Sequence, residues 1–318
     1  MQYYDRCGIE RDRELGTLTI SQEAYTNSLM SRFDVRATSP TPASPAADLG
    51  PNREDEAVGG WPVKEVLGSL FWLSTRTSVD ISNAVRAVAR HAHAPTERHW
   101  KAIRKILEYL NGTRGLGITY VRGSGLGLEV YAGTDYAAEA NDRRSVSGIA
   151  VAIGRAVVSH ASKTPGIVST SSNKAEYISG GDGVKEGLFV YSVLSFIARE
   201  THGTGIKVLA DNEGAMALIQ NPMSSARTKH IDVRFHTIRD LYKRGVITVE
   251  YVPTEEQHMG MGIEGIVPWR RMFGTSLPPM ALTRHWHSCR RRHPNILSRG
   301  ELQSRRRLLF DDAKILFL

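Results

Sequence analysis

The stretch that most constrains this chain runs from Ser169 to Asn212. It opens with Ser169-Thr-Ser-Ser-Asn-Lys-Ala-Glu-Tyr177 and closes with Val208-Leu-Ala-Asp-Asn212. The serine run predicts a helix start, because Ser171 or Ser172 can accept orphan backbone N–H groups, with Glu176 then in the first turns. Ile206 to Ala210 reads as a short apolar strand that delivers Asp211 at its carboxyl end, where open α/β sheets place ligands. Two carboxylates delivered in this way can hold divalent cations against a phosphodiester. Alone each is a weak signal, since Glu on a helix is usually a solvated residue.

The surrounding pattern predicts the sheet that would present them. Strands are expected at Leu128–Thr134, Gly148–Ile153 and Ala156–Ser162, the first two joined by the polar turn Asn141-Asp-Arg-Arg-Ser145. Helices follow over about 172–183 and 184–198, then the strand 206–210 and a short helix 212–220. A helix over about 230–244 and a strand Val246–Val252 complete the series. Three antiparallel strands followed by alternating helices and strands imply an α/β fold, a mixed five-stranded sheet flanked by helices.

Upstream the text is different. Residues 16–22 alternate like a strand, and Ser21 is placed to cap a helix running to Phe33 with Tyr25, Leu29 and Phe33 on one face. From Ala37 to Gly60, Pro40, Pro42, Pro45 and Pro51 with the charged run Arg53-Glu-Asp-Glu56 read as a linker or long loop. Residues 62–111 read as three helices, the third starting at Thr96 with Trp100, Ile103, Leu107 and Leu110 in a stripe. Its Lys101, Arg104 and Lys105 fit a solvated face or a contact to a nucleic-acid duplex. His91, His93 and His99 lack a fourth ligand at suitable spacing for a zinc site. Trp72, Trp100 and Phe71 are residue types more often core than base-stacking platforms. Gly112 to Gly127 reads as a glycine-rich junction.

Three motifs occur in one order: Lys174-Ala-Glu-Tyr177, Ala210-Asp-Asn-Glu-Gly-Ala215 and Arg227-Thr-Lys-His-Ile-Asp-Val-Arg-Phe-His236. Upstream lie Asp142-Arg-Arg-Ser-Val-Ser-Gly148, Pro95-Thr-Glu-Arg-His-Trp-Lys-Ala102 and Val66-Leu-Gly-Ser-Leu-Phe-Trp-Leu-Ser-Thr-Arg76. Together they resemble the C-terminal part of the polyprotein of copia-type LTR retrotransposons, over roughly residues 8 to 257. The resemblance implies the following organisation. Residues 1–36 end the reverse transcriptase palm, 37–60 form a linker, and 61–115 form a helical thumb or connection region. An RNase H-like domain spans 126–265, and 266–318 is a divergent basic tail. No Tyr-x-Asp-Asp occurs in the chain, so polymerase chemistry is not expected of it.

The resemblance also implies an activity: cutting RNA in RNA–DNA hybrids with Mg²⁺ or Mn²⁺ held by four acidic residues. Glu176 and Asp211 match two of the four. The family's first-strand ligand falls on Gly133 of Tyr131-Ala-Gly-Thr-Asp-Tyr136, and Asp135 matches the family's second Asp, two residues on. Gly133 and Asp135 share a strand face about 6.6–7 Å apart, so Asp135 fills the vacancy only with a register shift or bulge. The last ligand falls on Gly260 of Thr254-Glu-Glu-Gln-His-Met-Gly260, in a stretch whose glycines also weaken a helix. The expected metal and catalytic residues are therefore Glu176, Asp211 and Asp135, with hydrolysis strongly reduced or lost. Arg227, Lys229, His230, His236 and Asn212 are candidates to meet phosphate, or serve as caps and surface groups. Implied partners are RNA–DNA hybrid or duplex nucleic acid and the rest of the polyprotein.

Charge adds little to this reading. The net +8 of the chain is mostly a surplus of six in residues 284–318, with eight Arg and one Lys against Glu301, Asp311 and Asp312. About +2 remains for the other 283 residues, too little for a basic footprint. The tail's Arg clusters fit nucleic-acid contact, a nuclear address or a disordered extension; its His-x-His-x-Cys-x₃-His spacing lacks a partner knuckle for zinc. Cys7 and Cys289 yield no disulfide framework, the N-terminus lacks a signal-peptide run, and no segment has a membrane-spanning apolar length. These features fit an intracellular setting, cytoplasm or nucleus.

Overall fold

The computed structural model describes residues 2–4, 7–44, 47–135, 144–166, 169, 171–220 and 237–253. Among them two sheets form. The first aligns β1 (Gln2–Tyr4), β2 (Cys7–Asp12), β3 (Thr17–Ser21) and β4 (Ile118–Val121), each antiparallel to its neighbour. β3 is the strand expected at 16–22, whereas β4 lies inside the segment read as a junction. Its four residues carry too little alternation to announce a strand. What fixes them is pairing with β3 a hundred residues earlier, reinforced by a 2.9 Å bond between the Thr19 and Thr119 hydroxyls. Gly117 makes the approach possible, since a Cβ there would lie 2.2 Å from the Ile20 carbonyl oxygen.

Helix α1 (Glu23–Arg32) starts after Gln22 and not at Ser21, which stays in the sheet opposite Gly8. Gln22 is buried, and its Oε1 accepts the Thr77 hydroxyl at 2.9 Å. α1 packs on α2 (Val63–Arg76), α3 (Ser82–Ala89) and α4 (Glu97–Thr113) around Val66, Leu70, Leu73, Val85, Ile103 and Leu107, all without solvent exposure. Each such side chain contributes ~1.5–3 kcal/mol by leaving water. The middle one of the three helices expected over 62–111 is short: Val79–Ile81 is a 3₁₀ turn and α3 ends at Ala89. Trp100 lies at the margin of this core, stacked on Trp61 with ring centroids 6.1 Å apart.

The proline-rich segment 37–60 is irregular, as its composition predicts, but it is strapped along α4. Arg98 donates to Glu56 and Asp48 and to the carbonyls of Asp48 and Pro51. Lys105 reaches Ser44 at 2.7 Å, and Asn111 Nδ2 donates to the carbonyls of Arg36 and Ala37. The histidines take structural roles here: His99 closes a capping box with Thr96, its Nε2 lies 3.0 Å from the Gly50 carbonyl, and its ring stacks on His91.

The second sheet has the order β7-β6-β5-β8-β9, built from β5 (Leu128–Asp135), β6 (Val146–Ile153), β7 (Ala156–Lys163), β8 (Ile206–Ala210) and β9 (Ile247–Tyr251). β5, β6 and β7 are antiparallel neighbours, while β8 runs parallel to both β5 and β9. Helices α6 (Glu213–Gln220) and α7 (Thr237–Lys243) join the parallel strands; the earlier part of the helix expected over 230–244 lies outside the described residues. The two helices expected over 172–198 are one, α5 (Ser172–Ile197). Gly180, Gly181, Gly183 and Gly187 are buried in this helix. A Cβ on Gly187 would lie 2.6 Å from Val130 Cγ2, and one on Gly183 would lie 3.0 Å from Val130 Cγ1. Gly183 and Gly187 are a flat seat on β5, and burying that face outweighs their helix cost of ~1 kcal/mol each. No described helix is long and apolar enough to cross a membrane.

Candidate carboxylate site

Two helix starts and two strand ends meet at one place. Ser171 caps α5, its hydroxyl accepting the Lys174 N–H at 3.4 Å, which leaves Glu176 in the second turn. The pairing of β8 with β5 ends at Tyr131 and Leu209, so β5 continues past the last residue of that ladder. Glu176 reaches this uncovered stretch, where its Oε1 accepts the Thr134 N–H at 3.0 Å. Two further bonds fix the crossing: Thr134 Oγ1 donates to the Ala175 carbonyl and Ser179 Oγ to the Gly133 carbonyl. Asp211 follows β8 directly and faces Glu176. The pair thus lies in the crevice beyond the carboxyl end of a parallel strand.

Burial first, and the Asp211 charge second, push the Glu176 carboxyl up to about 8, against the Thr134 N–H, which favours the ionised form. Two like charges in a partly dry crevice cost stability unless a proton or a cation lies between them. An oxygen-only donor pair of this kind fits a hard divalent cation such as Mg²⁺.

The other expected residues fare differently. Asp135 ends β5 opposite Val146, where burial pushes its carboxyl up against the opposing pull of the Arg86 charge. Gly133, opposite Gly148, brings no side chain. Among the described residues no group of three His, Cys, Asp or Glu converges, so Asp135 does not complete a trio with Glu176 and Asp211. Asn212 caps α6, its Oδ1 accepting the Ala215 N–H at 2.8 Å. Arg227, Lys229, His230, His236 and Gly260 lie outside the described residues. Arg86 was missed from the sequence, because an Arg on a short helix of another unit carries no motif.

A mixed sheet in the order β7-β6-β5-β8-β9, with a long helix presenting a carboxylate to the β5–β8 crevice, defines an RNase H-like α/β unit. No family model matches the chain. Over 252 residues it is 32% identical to the retrovirus-related Pol polyprotein from transposon RE2 of Arabidopsis thaliana, covering 79% of this chain and 17% of that protein. Over 268 residues it is 31% identical to the Pol polyprotein from transposon TNT 1-94 of Nicotiana tabacum, covering 82% and 20%. Over about four fifths of its length the chain is thus similar to retrovirus-related Pol polyproteins of transposons. It spans about a fifth of the length of the curated relatives it matches. Among solved structures, the N-terminal RNase H domain of a Mycobacterium tuberculosis protein overlaps 42% of the chain and 86% of its own, at 16% identity and a TM-score of 0.29. The fold assignment rests on strand order and register.

Proposed function

We propose that this chain carries the RNase H-like domain of a copia-type retrotransposon polyprotein, preceded by the end of its reverse transcriptase, with a nuclease site reduced to one carboxylate pair. Glu176 and Asp211 would hold a single Mg²⁺ or Mn²⁺. In a complete set, two ions supply an activated water and stabilise the leaving oxygen of an in-line displacement. Here the chain's own residues do less. Thr134 orients the Glu176 carboxylate, Asp211 keeps the crevice negative, and Gly133 leaves the first-strand ligand position without a carboxylate. The observation that carries this reading is the convergence of Glu176 and Asp211 beside a glycine.

The expected consequence is RNA–DNA hybrid hydrolysis that is strongly reduced or absent. Binding of hybrid or duplex through backbone phosphates, by Arg227, Lys229, His230 and His236, belongs to the same reading. The test is degradation of an RNA–DNA hybrid with Mg²⁺ or Mn²⁺ by the wild-type chain and by Gly133→Asp combined with Gly260→Asp. A gain of at least tenfold in the restored protein is expected. Equal activity in the two would refute the loss of function; no activity in a folded restored protein would refute the nuclease ancestry of the crevice.

A further inference from the structure

Segment 47–60 has no helix or strand of its own, and α4 holds it by contacts of two kinds. Arg98 supplies the charged ones, to Asp48 and Glu56. His99 supplies a neutral one from a ring with no solvent exposure, bonded on both sides. Its Nε2 lies 3.0 Å from the Gly50 carbonyl oxygen, and its Nδ1 lies 3.0 Å from the Thr96 amide nitrogen. A carbonyl only accepts and an amide N–H only donates, so both bonds form only with the proton on Nε2 and a bare lone pair on Nδ1. The Thr96 hydroxyl, 2.9 Å from Nδ1, can turn to suit either state of the ring; the amide cannot. Thr96 is 1% exposed, so a proton on Nδ1 would leave its N–H buried without an acceptor.

The surroundings resist that proton as well. His91 stacks on the His99 ring with centroids 4.8 Å apart. Burial first, then the charges of His99, Arg90, His93 and Arg98, hold His91 down at about 4. Burial also holds His99 below the usual histidine range, helped by Arg98 and opposed by the bond to Gly50 and the charges of Glu56 and Asp48. Those two carboxyls are themselves held below the usual carboxylate range, Asp48 first by the Gly50 N–H and Glu56 first by Arg98. They stay ionised where histidine titrates, so the charged contacts persist in mild acid and the neutral one does not.

We propose that His99 is an acid-sensitive latch: neutral, it ties segment 47–60 to α4, and uptake of a proton at Nδ1 releases that segment. With the segment bound the ring is kept neutral; released, it meets water and titrates near ~6.5. Above that value the latch is fully closed. Below it only the released state gains the proton, and its share rises by up to about tenfold per pH unit.

The experiment cuts the full chain with a protease active from pH 5 to 8. The rate of cleavage within 47–60 is divided by that of a free peptide of the same sequence at the same pH. From pH 7.5 to 5.5 this ratio should rise about tenfold in the wild type and stay within about twofold in His99→Gln. Gln at the third helical position completes the capping box with Thr96 and carries no titrating group. A flat wild-type profile, the same acid rise in His99→Gln, or acid cleavage spread along the whole chain overturns the latch. A second measurement needs no variant: ring-nitrogen NMR of the wild type. His99 should hold the Nε2–H tautomer at pH 7.5 and become charged only as cleavage within 47–60 accelerates. A charged His99 ring with the segment still protected overturns the proposal.

Discussion

If the Glu176–Asp211 pair is a cation site standing without its cation, it costs stability, and Glu176→Gln should recover part of that cost at alkaline pH. Glu176 has its carboxyl raised from 4.5 to about 8 in the folded chain. Below about 4.5 the group is protonated folded and unfolded, and contributes nothing. Between the two values the folded state keeps a proton that the unfolded chain has released, so stability falls as pH rises, and the loss is complete above about 8. At ~1.4 kcal/mol per unit, a rise of this size has a ceiling of ~5 kcal/mol. Glu176 is only partly buried, so solvent screening reduces this, and about 2 kcal/mol is a reasonable expectation. Gln keeps the oxygen that accepts the Thr134 N–H and removes the charge. Urea unfolding in EDTA should therefore find the variant equal to wild type near pH 4.5 and about 2 kcal/mol more stable near pH 8.5. Excess Mn²⁺ at pH 8.5 should stabilise the wild type and not the variant. An advantage of the variant that is the same at both pH values would refute the reasoning.

Three further outcomes test the packing. Gly187→Ala puts a methyl 2.6 Å from Val130 Cγ2; thermal unfolding should report a loss of ~1–3 kcal/mol, where an unobstructed helix would gain ~1 kcal/mol. Arg98→Ala removes every side-chain bond that ties Asp48, Pro51 and Glu56 to α4, so limited proteolysis should cut within 47–60 many times faster than in wild type. Tyr109→Phe removes the bond that the buried Asp80 carboxylate accepts at 2.5 Å, and urea unfolding should show a loss of ~1–3 kcal/mol.

Much of the site was legible before any fold was known, because its signals are local. A serine run before Lys174-Ala-Glu-Tyr177 marks a helix start, an apolar run before Asp211 marks a strand end, and two glycines stand where the family pattern has acids. The strands of the second sheet were found within one or two residues for the same reason, period-two patterning written into each segment. α5 was read as two helices, and its continuity depends on Gly183 and Gly187 seating on Val130 and Ala132, some fifty residues away. β4 was hidden because only β3 defines it. The strap 37–60 was legible as irregular but not as bound, since no local pattern announces that Arg98 will hold it.

The sequence by itself determined which carboxylates the chain carries and which segments can be helix or strand. Tertiary structure alone decided that Glu176 reaches the amide of Thr134 and that the Asp211 charge acts on it. The physical reason is that charge–charge and packing energies depend on separations of a few ångströms between residues far apart in the chain, and those distances exist only once the sheet has closed.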